Sequence, residues 1–333
     1  MAGQLSTGQR RVGLDQRWLR HAVCVDDWMH ATDRHGIASV ADLRGAGLGR
    51  RAIVDLVKQA MLTPLAHGWY AAGPIVDDSE RHVLTTRAML RSHGDRVVAG
   101  HHSALFVSGL PTLGADLGVV RLSRRTPGPT RARPALRLGR AVPTRFQGTE
   151  TVTPAFAAVQ HGLSAGPLSA LVAADGALRA GVTTQPELDA AVAAVHGHPD
   201  SSGIADLLRH ADGRHESPGE TRLAHALRLL GLAATPQVPI PGTNAIVDFL
   251  LDDAPVVIEF DGKVKYGREA DERDPFGRRV PGRDVLWLEK RREDRLRELG
   301  YEVVRVVWSD LDSPKELAIR ILRAIERARR IIA

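Results

Sequence analysis

Two acidic residues set in apolar runs constrain this chain more than any other feature. Asp248 lies within Ala-Ile-Val-Asp-Phe-Leu-Leu, and Glu259 lies within Val-Val-Ile-Glu-Phe. Runs of this length and composition, separated by the turn Asp252-Asp253-Ala254-Pro255, predict paired strands. A carboxylate on such a strand is costly unless it is paired, hydrogen-bonded or bound to a metal ion. Alternation puts Val257, Glu259 and Asp261 on one face of their strand, with Val256, Ile258 and Phe260 on the other. Antiparallel pairing would bring Asp248 beside Glu259. Carboxylates that close repel each other, and a divalent cation is the usual remedy.

The flanking sequence completes a sharp pattern. Ser217-Pro218-Gly219-Glu220 reads as a helix start: serine caps, proline suits the first helical position, and Glu220 stands where a capping box needs it. Leu223, Leu227 and Leu230 give that helix one apolar face, and Gly231 ends it. Strands are expected at Thr235–Ile240, Ala245–Leu251 and Val256–Asp261. A charged helix follows at about Asp284–Leu299, then a strand at Glu302–Val307 and a final helix at about Ser313–Ile331. The predicted order is α-β-β-β-α-β-α. Mixed charges along the fifth element read as a solvated face. Tyr266–Arg283 reads as a polar loop.

Near the N-terminus the layout is helix, short helix, helix, hairpin. Asp26–His35 is amphipathic and stops at Gly36. Ser39 can cap a short helix over Val40–Gly45, and Arg50–Ala60 carries Ile53, Leu56, Val57 and Ala60 at helical spacing. Leu62–Leu65 and Gly68–Ala71 pair as a hairpin. This is the layout of a winged helix-turn-helix, with Arg50 and Arg51 opening the recognition helix. A small helical domain with a solvated basic helix start explains the same residues. Gly45, Gly47 and Gly49 form a turn and lack the strand and lysine of a phosphate-binding loop.

Between Asp116 and Glu150 there is no acidic residue, and eight arginines lie there, among them Arg124 and Arg125. Such a stretch suits a phosphate backbone as well as it suits a solvated strand face. Short strands are expected at Gly118–Leu122 and Ala135–Leu138. Thr153–Val195 is alanine-rich and reads as a helical connector without chemistry. His101, His102, His196 and His198 show no convincing ligand set and are expected at the surface or at caps.

The segment GIASVADLRGAGLGRRAIVDLVKQAMLTPLAHGWYAAG, with VVAGHHSALFVSGLP after it, resembles the winged-helix antitoxins of type IV toxin–antitoxin systems (AbiEi-type). That resemblance covers about the first third of the chain and implies a transcriptional regulator, with a cognate toxin or another protein as partner. SPGETRLAHALRLLG, IVDFLLDDAPVVIEFDGKVKYG and EKRREDRLRELGYEVVRVVWSDL resemble the PD-(D/E)XK nuclease superfamily, closest to its very-short-patch-repair endonucleases. The second resemblance implies Asp248 and Glu259 as metal-binding and catalytic acids, with Asp261 as a further metal-ligand candidate. Glu220 matches an acid often found on the first core helix, a role that stands beside its capping role. The superfamily places a lysine two residues after the glutamate; here that position is Asp261, and Lys263 is the candidate to take the role. The implied cofactor is Mg²⁺ or Mn²⁺, and the implied reaction is phosphodiester hydrolysis. Candidate nucleic-acid contacts are Arg50, Arg51, Arg124, Arg125, Lys265, Lys290 and Arg291; Lys263 and Lys265 also fit plain solvated positions.

Composition sets the frame. The chain has 333 residues, 45 basic against 39 acidic, with 43% hydrophobic and 25% charged residues. That excludes a mostly disordered or fibrous chain. Aromatics at 4% exclude a single-strand binder built on stacking. Cys24 is the single cysteine, so neither an internal disulfide nor a cysteine zinc site forms. No apolar run suits a membrane helix. Met1–Arg20 is polar without a secretory h-region, and the cytoplasm is the expected compartment. The expected fold is α+β and multidomain. It comprises a flexible N-terminus (1–20), a winged helix (21–75), a mixed α/β middle region (76–200) and an αβββαβ restriction-endonuclease-like core (201–333). The expected function is a metal-dependent DNA endonuclease with an N-terminal DNA-binding domain. A DNA-binding regulator with a catalytically silent nuclease-like domain is the alternative.

Overall fold

A computed structural model describes residues 27–126, 131–133, 136–141, 146–147, 150–262 and 291–332. Met1–Arg20, the Tyr266–Arg283 loop, Lys263, Lys265 and Lys290 lie outside the described residues. The fold is mixed α/β with several small sheets. The chain forms two compact units: one runs from the N-terminus to Val97 with two short later pieces, and the other takes most of the remainder to Ala333.

In the first unit, β1 (Ile37–Ser39), β2 (Leu62–Ala66) and β3 (Trp69–Ala72) form an antiparallel sheet in the order β1-β3-β2. Between β1 and β2 stand α1 (Val40–Gly45) and α2 (Arg50–Lys58). Ser39 caps α1 as expected, and Asp42 completes a capping box with it. Trp28, Ala38, Leu43, Leu48, Ile53, Leu56 and Leu62 are the core. The expected helix over Asp26–His35 is instead a short 3-10 helix, Asp27–Ala31. Its continuation is blocked locally: Asp33 Oδ1 accepts from His35 N (2.8 Å) and Ile37 N (3.1 Å), so these amides are withheld from a helix. A long helix, α3 (Asp78–His93), belongs to this unit and is capped by Asp77. Its Arg91 pairs with Asp33 and Asp42 and lies 5.0 Å over the Trp69 ring.

The second unit opens with β4 (Val97–Ala99) and α4 (His101–Val107). Short strands follow along the chain, Val120 and Ala132–Arg137 being counted with the first unit: β5 (Val120–Arg124), β6 (Arg131–Arg133), β7 (Leu136–Ala141), β8 (Phe146–Gln147) and β9 (Thr151–Val152). β9 pairs parallel with β4 and antiparallel with β8. The alanine-rich stretch then folds as α5 (Pro154–Ala165), α6 (Pro167–Arg179) and α7 (Gln185–Ala193), followed by α8 (Ser201–Leu208). Small residues let α5 and α6 approach closely: a Cβ on Gly162 would stand 2.6 Å from Ala170 Cβ.

The C-terminal elements appear in the expected order. α9 (Pro218–Leu229) precedes β10 (Ala234–Pro239), β11 (Ile246–Leu251) and β12 (Val256–Phe260). A helix described over 291–298, α10, leads to β13 (Glu302–Val306), and α11 (Pro314–Ile332) closes the chain. The sheet order is β10-β11-β12-β13, antiparallel except for the parallel pair β12–β13. One core joins Phe249, Leu251, Val256, Ile258, Val304 and Val306 to Leu223 and Leu227 of α9 and to Leu317 and Ile321 of α11. A smaller core sets Val257, Val247 and Ile240 against Leu296 of α10. The sheet is therefore covered on both sides, which explains why its strands read as near-continuous apolar runs.

Candidate functional site

A polar row crosses this apolar sheet. Between the pairs Pro236↔Phe249 and Val238↔Val247, Gln237 of β10 falls opposite Asp248 of β11. Carrying the register Phe249↔Ile258 one residue further sets Asp248 opposite Glu259 of β12. Glu259 in turn pairs with Arg305 of β13. The antiparallel pairing expected from the sequence thus puts the two acids on adjacent strands, one position past the last registered pair. Phe260 N donates to Asp248 Oδ2 at 2.7 Å, which fixes one carboxylate oxygen. Burial pushes the Asp248 carboxyl above its ordinary range; the bond from Phe260 and the charge of Arg292 work against that shift.

Glu220 enters from the first turn of α9. Ser217 Oγ donates to its Oε1 at 2.9 Å and accepts from its backbone N at 3.2 Å. The reciprocal half of the cap differs from expectation: Glu220 Oε2 accepts from Glu216 N (2.8 Å), one residue ahead of the cap residue. The same oxygen accepts from Gln237 Nε2 at 3.1 Å. Burial raises the affinity of Glu220 for a proton, the bonds from Glu216, Ser217 and Gln237 lower it, and the charge of Asp248 adds to the rise. The capping role and the place beside Asp248 therefore belong to one side chain. Gly219 makes this approach possible, since a Cβ there would stand 1.9 Å from Phe260 Cε1.

Glu259 is 17% exposed and pairs with Arg292 Nη2 at 3.1 Å. Arg292 also donates to Ile246 O at 2.5 Å. Arg305 pairs with Glu293 of α10 at 3.3 Å. Asp261 stands just past β12, its backbone N donating to Val306 O at 2.8 Å. No group of three or more metal-ligating side chains is found among the described residues. Two carboxylates on adjacent strands, one with raised proton affinity, nevertheless fit a hard divalent cation, which takes oxygen ligands and completes its shell with water or phosphate. Asp248 and Glu259 would hold it.

The remaining candidates are scattered. Arg50 and Arg51 are exposed at the start of α2, and Arg291 is exposed at the described start of α10. Arg124 and Arg125, at the end of β5, are half-buried, unlike the solvated face weighed from the sequence.

Gln237 and Arg292 contribute to the site without having been legible as site residues. Gln237 has a backbone φ of 55°, a left-handed conformation rare outside glycine. That conformation inside a strand is a signal only the coordinates carry. Arg292 was one of many charges on a helix. The histidines also depart from expectation: His102 and His161 are buried, their rings 5.8 Å apart. His101 adopts φ 52° and is pushed down to about 3 by burial and by the charges of Arg121 and His102. Asp175, in the stretch assigned no chemistry, is buried and accepts from Asp212 N and Thr221 Oγ1 (both 2.8 Å), with His215 Nδ1 at 2.6 Å.

These features define a mixed α/β protein with two carboxylates on adjacent central strands of its C-terminal sheet. The chain belongs to one family with two uncharacterized proteins of Mycobacterium tuberculosis. It is 30% identical over 288 residues to the uncharacterized proteins Rv2248 and MT2308 of Mycobacterium tuberculosis, covering 82% of this chain and 96% of each relative. No family model matches it. Among solved structures, the RV2827C protein from Mycobacterium tuberculosis is similar at 18% identity and a TM-score of 0.37, over 60% of this chain and 80% of that one.

Proposed function

We propose that the protein is a metal-dependent endonuclease acting on nucleic acid, DNA first, with a C-terminal core of the restriction-endonuclease kind and an N-terminal winged helix that binds DNA. The observation that carries this reading is the placement of Asp248 and Glu259 on the adjacent second and third strands of an αβββαβ order. Bound between those carboxylates, Mg²⁺ or Mn²⁺ would supply a Lewis acid and a water of lowered pKa. The chain's own residues would do the rest. Asp248, held by Phe260 N, presents its second oxygen. Glu220, held by Ser217, Glu216 and Gln237, stands beside it as a hydrogen-bond acceptor. Lys263 is the candidate to steady charge developing on the phosphate. Arg291 on α10, with Arg50 and Arg51 on α2, would contact the phosphate backbone, and binding should weaken as salt rises.

A second reading is favoured by one observation. Asp261 stands where the superfamily has its lysine, so the core could be silent and the protein an antitoxin-type regulator with a protein partner. The test is cleavage of labelled DNAs with Mg²⁺ or Mn²⁺ by wild type and Glu259→Ala. Cleavage by wild type that disappears in the variant, with DNA binding retained, supports the nuclease. Binding without cleavage on every substrate supports the regulator, and neither activity points to a protein partner alone.

A further inference from the structure

The acid pair already has a cation beside it. Arg292 Nη2 is 3.1 Å from Glu259 Oε1, and the same guanidinium holds down the proton affinity of Asp248. Its other contact is the main-chain carbonyl of Ile246, at the start of the strand that carries Asp248. Arg292 therefore spans both acid-bearing strands from α10. Two carboxylates on adjacent strands need positive charge, and a guanidinium and a divalent cation are alternative ways to supply it.

The exposures differ in a telling way. Glu259 is 17% exposed and Arg292 42%. The carboxylate is thus fixed in the sheet, and the guanidinium sits at an open boundary. Beyond it lies a cleft of about 640 Å³ lined by Thr243, Asn244, Ala245, Ile246, Arg291, Arg292 and Arg295. A guanidinium leaving Glu259 would stay open to solvent at the cleft, so no charge need be buried alone.

We propose that Arg292 is the resident counter-cation of the Asp248–Glu259 pair and competes with a divalent cation for Glu259. This rests on the nuclease reading of the same site. The competition sets how tightly the metal is held. A half-exposed ion pair is a modest competitor, so its removal should tighten metal binding about fivefold.

The experiment is calorimetric titration of the full chain with Mn²⁺ alone, for wild type, Arg292→Ala, Arg292→Lys and Glu259→Ala. The expected result is tighter binding in Arg292→Ala, near wild-type affinity in Arg292→Lys, which keeps the charge, and no site in Glu259→Ala. Circular dichroism confirms that each variant is folded; should Arg292→Ala fail to fold, Arg292→Gln replaces it, with the same tightening expected. Binding lost in Glu259→Ala but unchanged or weakened on losing the Arg292 charge overturns the competition and leaves the nuclease reading standing. Binding indifferent to Glu259→Ala, or absent from wild type and every Arg292 variant, overturns both.

Discussion

At the scale of single residues, the two carboxylates and their neighbours differ in how they could be read. Asp248 and Glu259 were legible because each interrupts an apolar strand, a placement that demands a partner whatever the fold. Gln237 was not, because nothing in Pro-Gln-Val marks a left-handed backbone. Its φ of 55° carries strain that the bond to Glu220 partly offsets. The two contributions can be separated. Gln237→Gly relieves the backbone and removes the bond, so stability should change by under about 1 kcal/mol. Gln237→Ala keeps the strain and removes the bond, and should cost about 1–2 kcal/mol. Urea denaturation of both variants checks this; equal stabilities would show that the backbone at this position is not strained.

At the scale of elements, the C-terminal strands, the helix that precedes them and the final helix followed the sequence to within a residue or two, because apolar periodicity and caps agree there. The expected strand Val256–Asp261 is Val256–Phe260, and the expected final helix Ser313–Ile331 is Pro314–Ile332. Expectation failed where a side chain overrides the period, as Asp33 does after the 3-10 helix. It also failed where a helix lacks a strong apolar face: α3, whose buried residues are His82, Thr86 and Ala88, gave no such signal. The placement of α9 depends on a contact the sequence could not announce, Gly219 against the Phe260 ring. That ring is itself fixed edge-on against Trp308 at a centroid distance of 5.1 Å. Gly219→Ala should therefore push the first turn of α9 off β12, costing about 2–3 kcal/mol and moving Glu220 away from Gln237. Thermal melting measures the first effect. Loss of cleavage beyond the unfolded fraction measures the second, and a variant as stable and active as wild type would refute the close contact.

At the scale of the whole molecule, histidines shifted by their surroundings should weigh on how the protein meets acid. From the sequence they looked like surface residues; in the fold, His101 stays neutral because burial and the neighbouring positive charges of Arg121 and His102 oppose its protonation. His161 shifts the same way through burial. The unfolded chain takes up these protons near pH 6.5, whereas the folded chain holds His101 neutral down to about 3. A depressed folded pKa means that the stabilisation is complete above the unfolded value and is lost as pH falls. His101 alone should cost on the order of 3 kcal/mol between pH 6.5 and pH 4. Asp248 and Glu220 act in the opposite direction. Burial raises both, so the folded state binds their protons first and regains a part of the loss once pH approaches the carboxylate range. The net expectation is a melting temperature that keeps falling from pH 7 towards pH 4, less steeply once Asp248 and Glu220 begin to take up protons. His101→Asn tests the assignment, since asparagine tolerates the left-handed backbone that His101 adopts and cannot titrate. Its melting temperature should fall less than wild type's over the same interval. An unchanged pH dependence would mean that His101 does not govern the acid response.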